Sequence, residues 1–194
     1  MKNNKKHTDI INSTVSVVAK HGFHGASTSM IAGHAGVAAG SIYLYFESKD
    51  HLILEAFQEL GRRCFMAVMK GYPLKISIRQ RFFHLGQALM RHWTLFPEEF
   101  LFIDQFLSSP YRKSASPNIL FNTEFGIMQL FLEGMEKQLF KEMPPAMLIA
   151  LALGPAIQVI RASIAGILYL DDDRISVAVQ ACWEAVSFQK TALV

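Results

Sequence analysis

Apolar residues recur at helical spacing along nearly the whole chain. Ile11, Val15 and Val18 mark one face of a first segment over residues 8–21. Asp9 lies near its start, where a carboxylate suits the helix dipole, and Gly22 ends it. Further helices are expected over 49–70, closed by Gly71-Tyr72-Pro73, over 76–94, over 97–107 with Pro97 in the first turn, and over 175–189. The stretch 143–160 carries no charge and is rich in small residues. Residues 108–117 (SSPYRKSASP) are the one extended loop, a candidate lid or a connector. No alternating run with Asn-Gly or Asp-Gly turns suggests a hairpin, so the pattern predicts an all-α protein.

Residues 28–50, TSMIAGHAGVAAGSIYLYFESKD, break this pattern into shorter pieces. A segment marked by Met30, Ile31 and Ala35 runs into Gly36, and a second segment over 38–45 follows at once. Ala32 is small where two helices would cross, Gly36 tolerates left-handed geometry at the turn, and Val37 and Ile42 lock the second helix onto the first. This predicts a helix-turn-helix. Ser27 or Thr28 caps its first helix and offers a hydroxyl to phosphate. The short residues Ala38, Ala39, Gly40 and Ser41 let the second helix approach a DNA strand closely. Tyr43 and Tyr45 are two apart and point to different sides, so at least one is expected at the surface. Ser48 caps the long helix from Lys49, whose ammonium reaches towards phosphate. Lys5 and Lys6 belong to a flexible basic arm for the backbone or minor groove.

Composition narrows the class. With 194 residues, 51% hydrophobic and 18% charged, the chain buries one large core or a core plus a small satellite domain. The net charge is only +3, and residues 1–52 hold five lysines against three acids. A nucleic-acid role therefore rests on the motif, not on charge. Cys64 and Cys182 form no CxxC or Cys/His spacing, so neither a disulfide framework nor a zinc site is indicated. The basic N-terminus lacks an apolar run and cleavage site of the secretory kind, which fits a cytoplasmic protein.

The set Gly22-Phe23, Thr28, Ile31-Ala32, Ala35-Gly36-Val37, Gly40, residues 42–46 and Ser48-Lys49-Asp50 with Leu52 resembles the TetR (tetracycline-repressor-like) family of regulators, over about the first quarter of the chain. The resemblance implies a three-helix DNA-binding domain over 1–52 and an all-helical effector-binding and dimerisation domain over 53–194. It implies phosphate contacts from Thr28, Tyr43, Tyr45 and Lys49, and groove contacts from Ala39, Gly40 and Ser41. Three positions depart from the family pattern: Ala38 replaces a capping Ser or Thr, Ala39 a longer polar residue, and His51 the Glu that completes a capping box with Ser48. With no Arg, Asn or Gln in the recognition helix, specificity leans on methyl contacts and DNA shape.

Aromatic residues concentrate in the middle of the chain. Most are core. Trp93, Phe96, Phe106, Phe125 and Met128 are candidates to line an effector cavity, with Asp104 and Tyr111 as polar handles. The small-residue stretch and the last helix would form a four-helix interface between subunits, through Ala152, Ala156, Val159, Ile167, Val179 and Trp183. Pro155, Gln158 and Arg161 argue against a membrane span there. No nucleophile elbow, HExxH, paired carboxylates or phosphate loop appears, so an enzyme is not expected. The expected partners are operator DNA, a second copy of the chain and a small, largely apolar effector, with no cofactor, metal or membrane. The alternative is a helix-turn-helix regulator whose C-terminal half is a protein-interaction module.

Overall fold

The computed structural model describes residues 2–73, 75–114 and 127–188. Among these the chain is helical, with one isolated bridge between Phe140 and Ser187 and no strand. The elements are α1 (Lys2–Gly25), α2 (Thr28–His34), a 3-10 segment (Ala39–Leu44), α3 (Lys49–Met69), α4 (Ile78–Leu95), α5 (Pro97–Leu107), a 3-10 turn (Pro110–Ser114), α6 (Ile127–Glu136), α7 (Pro145–Ile164) and α8 (Asp172–Val186). They fall into two compact units: described residues 2–63 with 96–114, and 64–95 with 127–188.

In the first unit α1 packs against α5 and α2. Gly22 breaks α1 with φ 68° and ψ 171°, a geometry that costs glycine little. The break turns Phe23 inward, where its ring lies 5.4 Å from Phe102 and 5.1 Å from Tyr111. Phe57 of α3 stacks on Phe106 of α5 at 3.8 Å. Full burial of such a ring contributes about 1.5–3 kcal/mol. Charged groups staple the rim. Glu98 accepts from Ser16 Oγ at 2.5 Å and pairs with Lys20, while Arg63 bonds Glu59, Glu99 and Asn12.

The second unit is built on α4, α6, α7 and α8. Phe82 sits among Phe131, Phe140 and Trp183, with centroids 6.2, 6.2 and 5.3 Å away. Leu148, Ala152, Ala156 and Ile160 form a buried stripe at four-residue spacing on α7, which packs on α8 and α4. Ile175, Val179, Cys182 and Val186 are its counterpart on α8. By length and composition α7 is apolar enough to cross a membrane, but that stripe is spent on its neighbours.

Several expectations need correction. The basic arm is helical: α1 begins at Lys2 and carries Lys5 and Lys6, their side chains exposed. The second helix of the pair is a six-residue 3-10 segment, because Ala38 supplies no side-chain cap and the piece contains Gly40 and β-branched Ile42. An unanticipated helix, α6, follows residues 115–126. Its Gly134 lies against the Phe140 ring, leaving no room for a Cβ. Much else agrees: Pro97 opens α5, Gly36 takes φ 66° at the turn, and Ser48 Oγ accepts from His51 N–H at 3.1 Å.

Candidate nucleic-acid interface and ligand cavity

The helix-turn-helix is assembled by local bonds. Ser27 caps α2 by accepting from Met30 N–H at 3.1 Å, and Val37 N–H donates to Ala32 O at 3.0 Å to close the turn. Ile31, Ala32, Ile42 and Phe46 are buried beneath it. With Ile42 inward, the opposite side of the 3-10 segment faces solvent. Ala39 and Gly40 are exposed, Ser41 is half-buried, Tyr43 is 56% exposed and Leu44 82%. Leu44 was not among the expected contacts. Its position two residues after Ile42 was the available signal.

The other residues expected at DNA are placed differently. Thr28 is half-buried in the first turn of α2. Tyr45 is half-buried, its ring 6.2 Å from His7. The Lys49 ammonium donates to Phe23 O at 2.6 Å, so it closes the end of α1. His51 partly replaces the missing Glu: its Nδ1 accepts from Glu47 N–H at 3.3 Å. Its Nε2 lies 3.0 Å from Glu55, whose other oxygen lies 3.0 Å from His7 Nε2, and His7 stacks on Phe46 at 4.8 Å. The resulting His7–Glu55–His51 bridge fastens α1 to the start of α3. The i,i+4 spacing of His51 and Glu55 was visible in the sequence; the partnership with His7 was not.

The first unit also contains a cavity of about 800 Å³, lined by the end of α1 (His21, Phe23, His24), by Asp50 and Leu54 of α3, and by Gln105, Ser108 and Tyr111. Tyr111 Oη donates to Asp50 Oδ1 at 2.8 Å across it. Burial first, and then the adjacent carboxylate, push the Tyr111 phenol up to about 12.

Of the residues expected around an effector, Tyr111 alone lines this cavity. Phe106 is fully buried in the stack on Phe57, Phe96 is exposed at the start of α5, and Asp104 is half-buried. Trp93 and Met128 belong to the second unit, and Phe125 lies outside the described residues. Of the residues expected between subunits, Ala152, Ala156 and Val179 are buried inside the second unit, Val159 and Trp183 are half-buried, and Ile167 is 81% exposed. The large exposed apolar side chains on α7 and α8 are Met147, Leu151 and Val177. Among the described residues no group of three or more His, Cys, Asp or Glu could hold a metal ion.

A buried helix-turn-helix frame with a solvent-facing 3-10 segment, in an otherwise helical chain, is the architecture of a helix-turn-helix regulator. The model for bacterial regulatory proteins of the tetR family matches residues 10–56, and the model for the tetracyclin repressor-like C-terminal domain matches residues 57–188. The chain belongs to the tetracycline-repressor-like family of transcription regulators. Over 90 residues it is 44% identical to the fatty acid metabolism regulator protein of Bacillus subtilis (strain 168), covering 46% of this chain and 45% of that one. Over 54 residues it is 37% identical to the HTH-type transcriptional regulator BetI of Vibrio vulnificus (strain YJ016), covering 28% and 27%. The chain spans less than half the length of these curated relatives. Solved structures share the fold. A TetR family regulator from Marinobacter aquaeolei VT8 superposes with TM-score 0.86 at 23% identity, over 97% of this chain and 98% of that one. FadR from Bacillus subtilis in complex with stearoyl-CoA does so with TM-score 0.77 at 19% identity, over 92% and 98%.

Proposed function

We propose that the chain is a homodimeric transcriptional repressor of the cytoplasm, released from its operator by a small, largely apolar effector that bears an acyl chain. The observation that carries the DNA half is the exposed pair Tyr43 and Leu44 on a segment whose buried side is anchored by Ile42. With no Arg, Asn or Gln there, Leu44 supplies apolar contact with thymine methyl groups and Tyr43 a hydroxyl for phosphate. Thr28, Ala39, Gly40 and Ser41 line the same approach. Lys5 and Lys6 add charge from α1, while Lys49 and Tyr45 support the frame.

The dimer reading is supported by Met147, Leu151 and Val177, apolar side chains left exposed on α7 and α8. Covering them with a second copy removes that surface from water. The buried Ala152, Ala156 and Val179 set how closely those two helices approach within each subunit. The same exposed side chains are what a C-terminal protein-interaction module would present; a second copy fits better because two copies are needed to read two half-sites.

The acyl reading draws on similarity to the fatty acid metabolism regulator and to the FadR complex with stearoyl-CoA. A ligand acts by binding one conformation more tightly than the other, and α3 contributes residues to both units, so its position is the element for a ligand to bias. Selection of bound fragments from genomic DNA, followed by footprinting, tests the proposal. Two protected half-sites about 34 Å apart support it. Fragments with no shared palindrome would refute it.

A further inference from the structure

Three buried polar atoms in the second unit have no hydrogen-bond partner among the described residues: Tyr72 Oη, Arg81 Nε and His84 Nε2. They form one group. Arg81 and His84 are three apart on α4 and so share a face. The Tyr72 and His84 rings meet edge to face with centroids 5.8 Å apart. The Arg81 cation and the Glu133 carboxylate both act on the Tyr72 phenol. Each unmet polar atom is costly to bury. Two of the atoms come from one face of α4 and the third from the turn after α3, and together they make a polar site with buried Phe82 and Leu85 beside it on α4.

The charge of the group selects its occupant. Arg81 is 7% exposed, and its terminal nitrogen already donates to Glu133. Arg81 holds the Glu133 carboxyl below its ordinary range, so the pair is ionised and formally neutral around pH 7. A carboxylate entering here would bring a second negative charge beside Glu133, with the buried Arg81 cation to serve both. An uncharged carbonyl oxygen adds none, and its two lone pairs accept from Tyr72 Oη–H and Arg81 Nε–H, with His84 Nε2 a further donor in its Nε2–H tautomer.

We propose that Tyr72, Arg81 and His84 anchor the effector through an uncharged carbonyl oxygen, that of a thioester, ester or lactone on an alkyl chain, and discriminate against the free carboxylate. The proposal rests on the reading of the chain as an acyl-responsive regulator. It adds which chemical form of the acyl group is sensed.

Equilibrium binding of dodecanoyl-CoA, methyl dodecanoate, δ-dodecalactone and dodecanoate to the full chain at pH 8 tests it. At least one uncharged carbonyl probe is expected to bind at least tenfold tighter than dodecanoate, and the tightest of the three identifies the source of the carbonyl. Tyr72→Phe is expected to lower that probe's affinity roughly three- to tenfold. It should leave dodecanoate within twofold, and the unliganded protein should melt no lower, since it loses an unsatisfied hydroxyl. Equal or tighter dodecanoate binding overturns the anchor while leaving the acyl-responsive reading intact. So do unchanged affinities in Tyr72→Phe and His84→Leu, which would assign the three atoms to an ordered water only. Failure of all four probes to bind a chain that still binds DNA overturns the acyl reading and the anchor with it.

Discussion

Tyr111 Oη donates to Asp50 Oδ1 at 2.8 Å, tying the turn after α5 to the first turn of α3 across 61 residues of sequence. Asp50 follows Ser48, the cap of α3, so this bond holds the helix start that comes directly after the exposed 3-10 segment. Tyr111→Phe should lower unfolding free energy by about 1 kcal/mol. The folded phenol titrates near 12 against an ordinary 10.0, so the stability linked to it is complete below pH 10 and lost as pH rises through about 12. Burial also raises the Tyr72 phenol, so ultraviolet difference titration should show one fewer late-ionising tyrosine in Tyr111→Phe than in the parent chain.

Substitutions in the exposed 3-10 segment, proposed to face DNA, should separate DNA affinity from stability. Leu44→Ala should reduce operator affinity roughly tenfold, within the range of about 1–3 kcal/mol per specific contact, and leave the melting temperature unchanged. Lys5→Ala or Lys6→Ala should instead weaken binding to all sequences and reduce the salt slope by about 1 each. Anisotropy titrations at several salt concentrations tell the two behaviours apart.

Glycines in the two units carry opposite expectations. A Cβ at Gly86 would meet Val179 Cγ1 at 2.9 Å and Cγ2 at 3.0 Å, where α4 crosses α8. Gly86→Ala should cost about 1–3 kcal/mol. Gly33, inside α2, has nothing within 4 Å of its added Cβ. Gly33→Ala should stabilise by about 0.5–1 kcal/mol, readable by urea denaturation.

Acid should loosen the first unit. Glu98 is held below the ordinary carboxyl value of 4.5, chiefly by the Ser16 hydroxyl and further by Lys20; Glu59 is lowered chiefly by Arg62 and further by Arg63. A depressed carboxyl contributes stability above its unfolded pKa and loses it as pH falls through the folded one. The contribution should therefore be full above about pH 4.5 and fade below it. Ser16→Ala should cost about 1 kcal/mol at pH 7 and progressively less under acid.

Local chemistry was legible in the sequence, and distant partners were not. Pro97, Gly36 and Ser48 announced a helix start, a turn and a cap because each acts on its own backbone neighbours. The Lys49 bond to Phe23 O joins residues 26 apart, so spacing alone suggested a free cation. Helical periodicity marked residues 143–160 as apolar but did not say which side turns inward. Ala152 and Ala156 are buried within the unit, while Met147 and Leu151 are left outside. α6 escaped notice because Gly134 weakens helix propensity, and the Phe140 ring that requires it comes from beyond the helix.

Release of this chain from DNA by an acyl ligand is the regulatory event expected. It is tested most directly by fluorescence anisotropy of the selected palindrome, titrated with the full chain in the presence and absence of dodecanoyl-CoA. Salt-sensitive binding that weakens at least tenfold with the ligand is expected. Binding that is indifferent to salt, or unchanged by dodecanoyl-CoA, methyl dodecanoate and δ-dodecalactone alike, would contradict it.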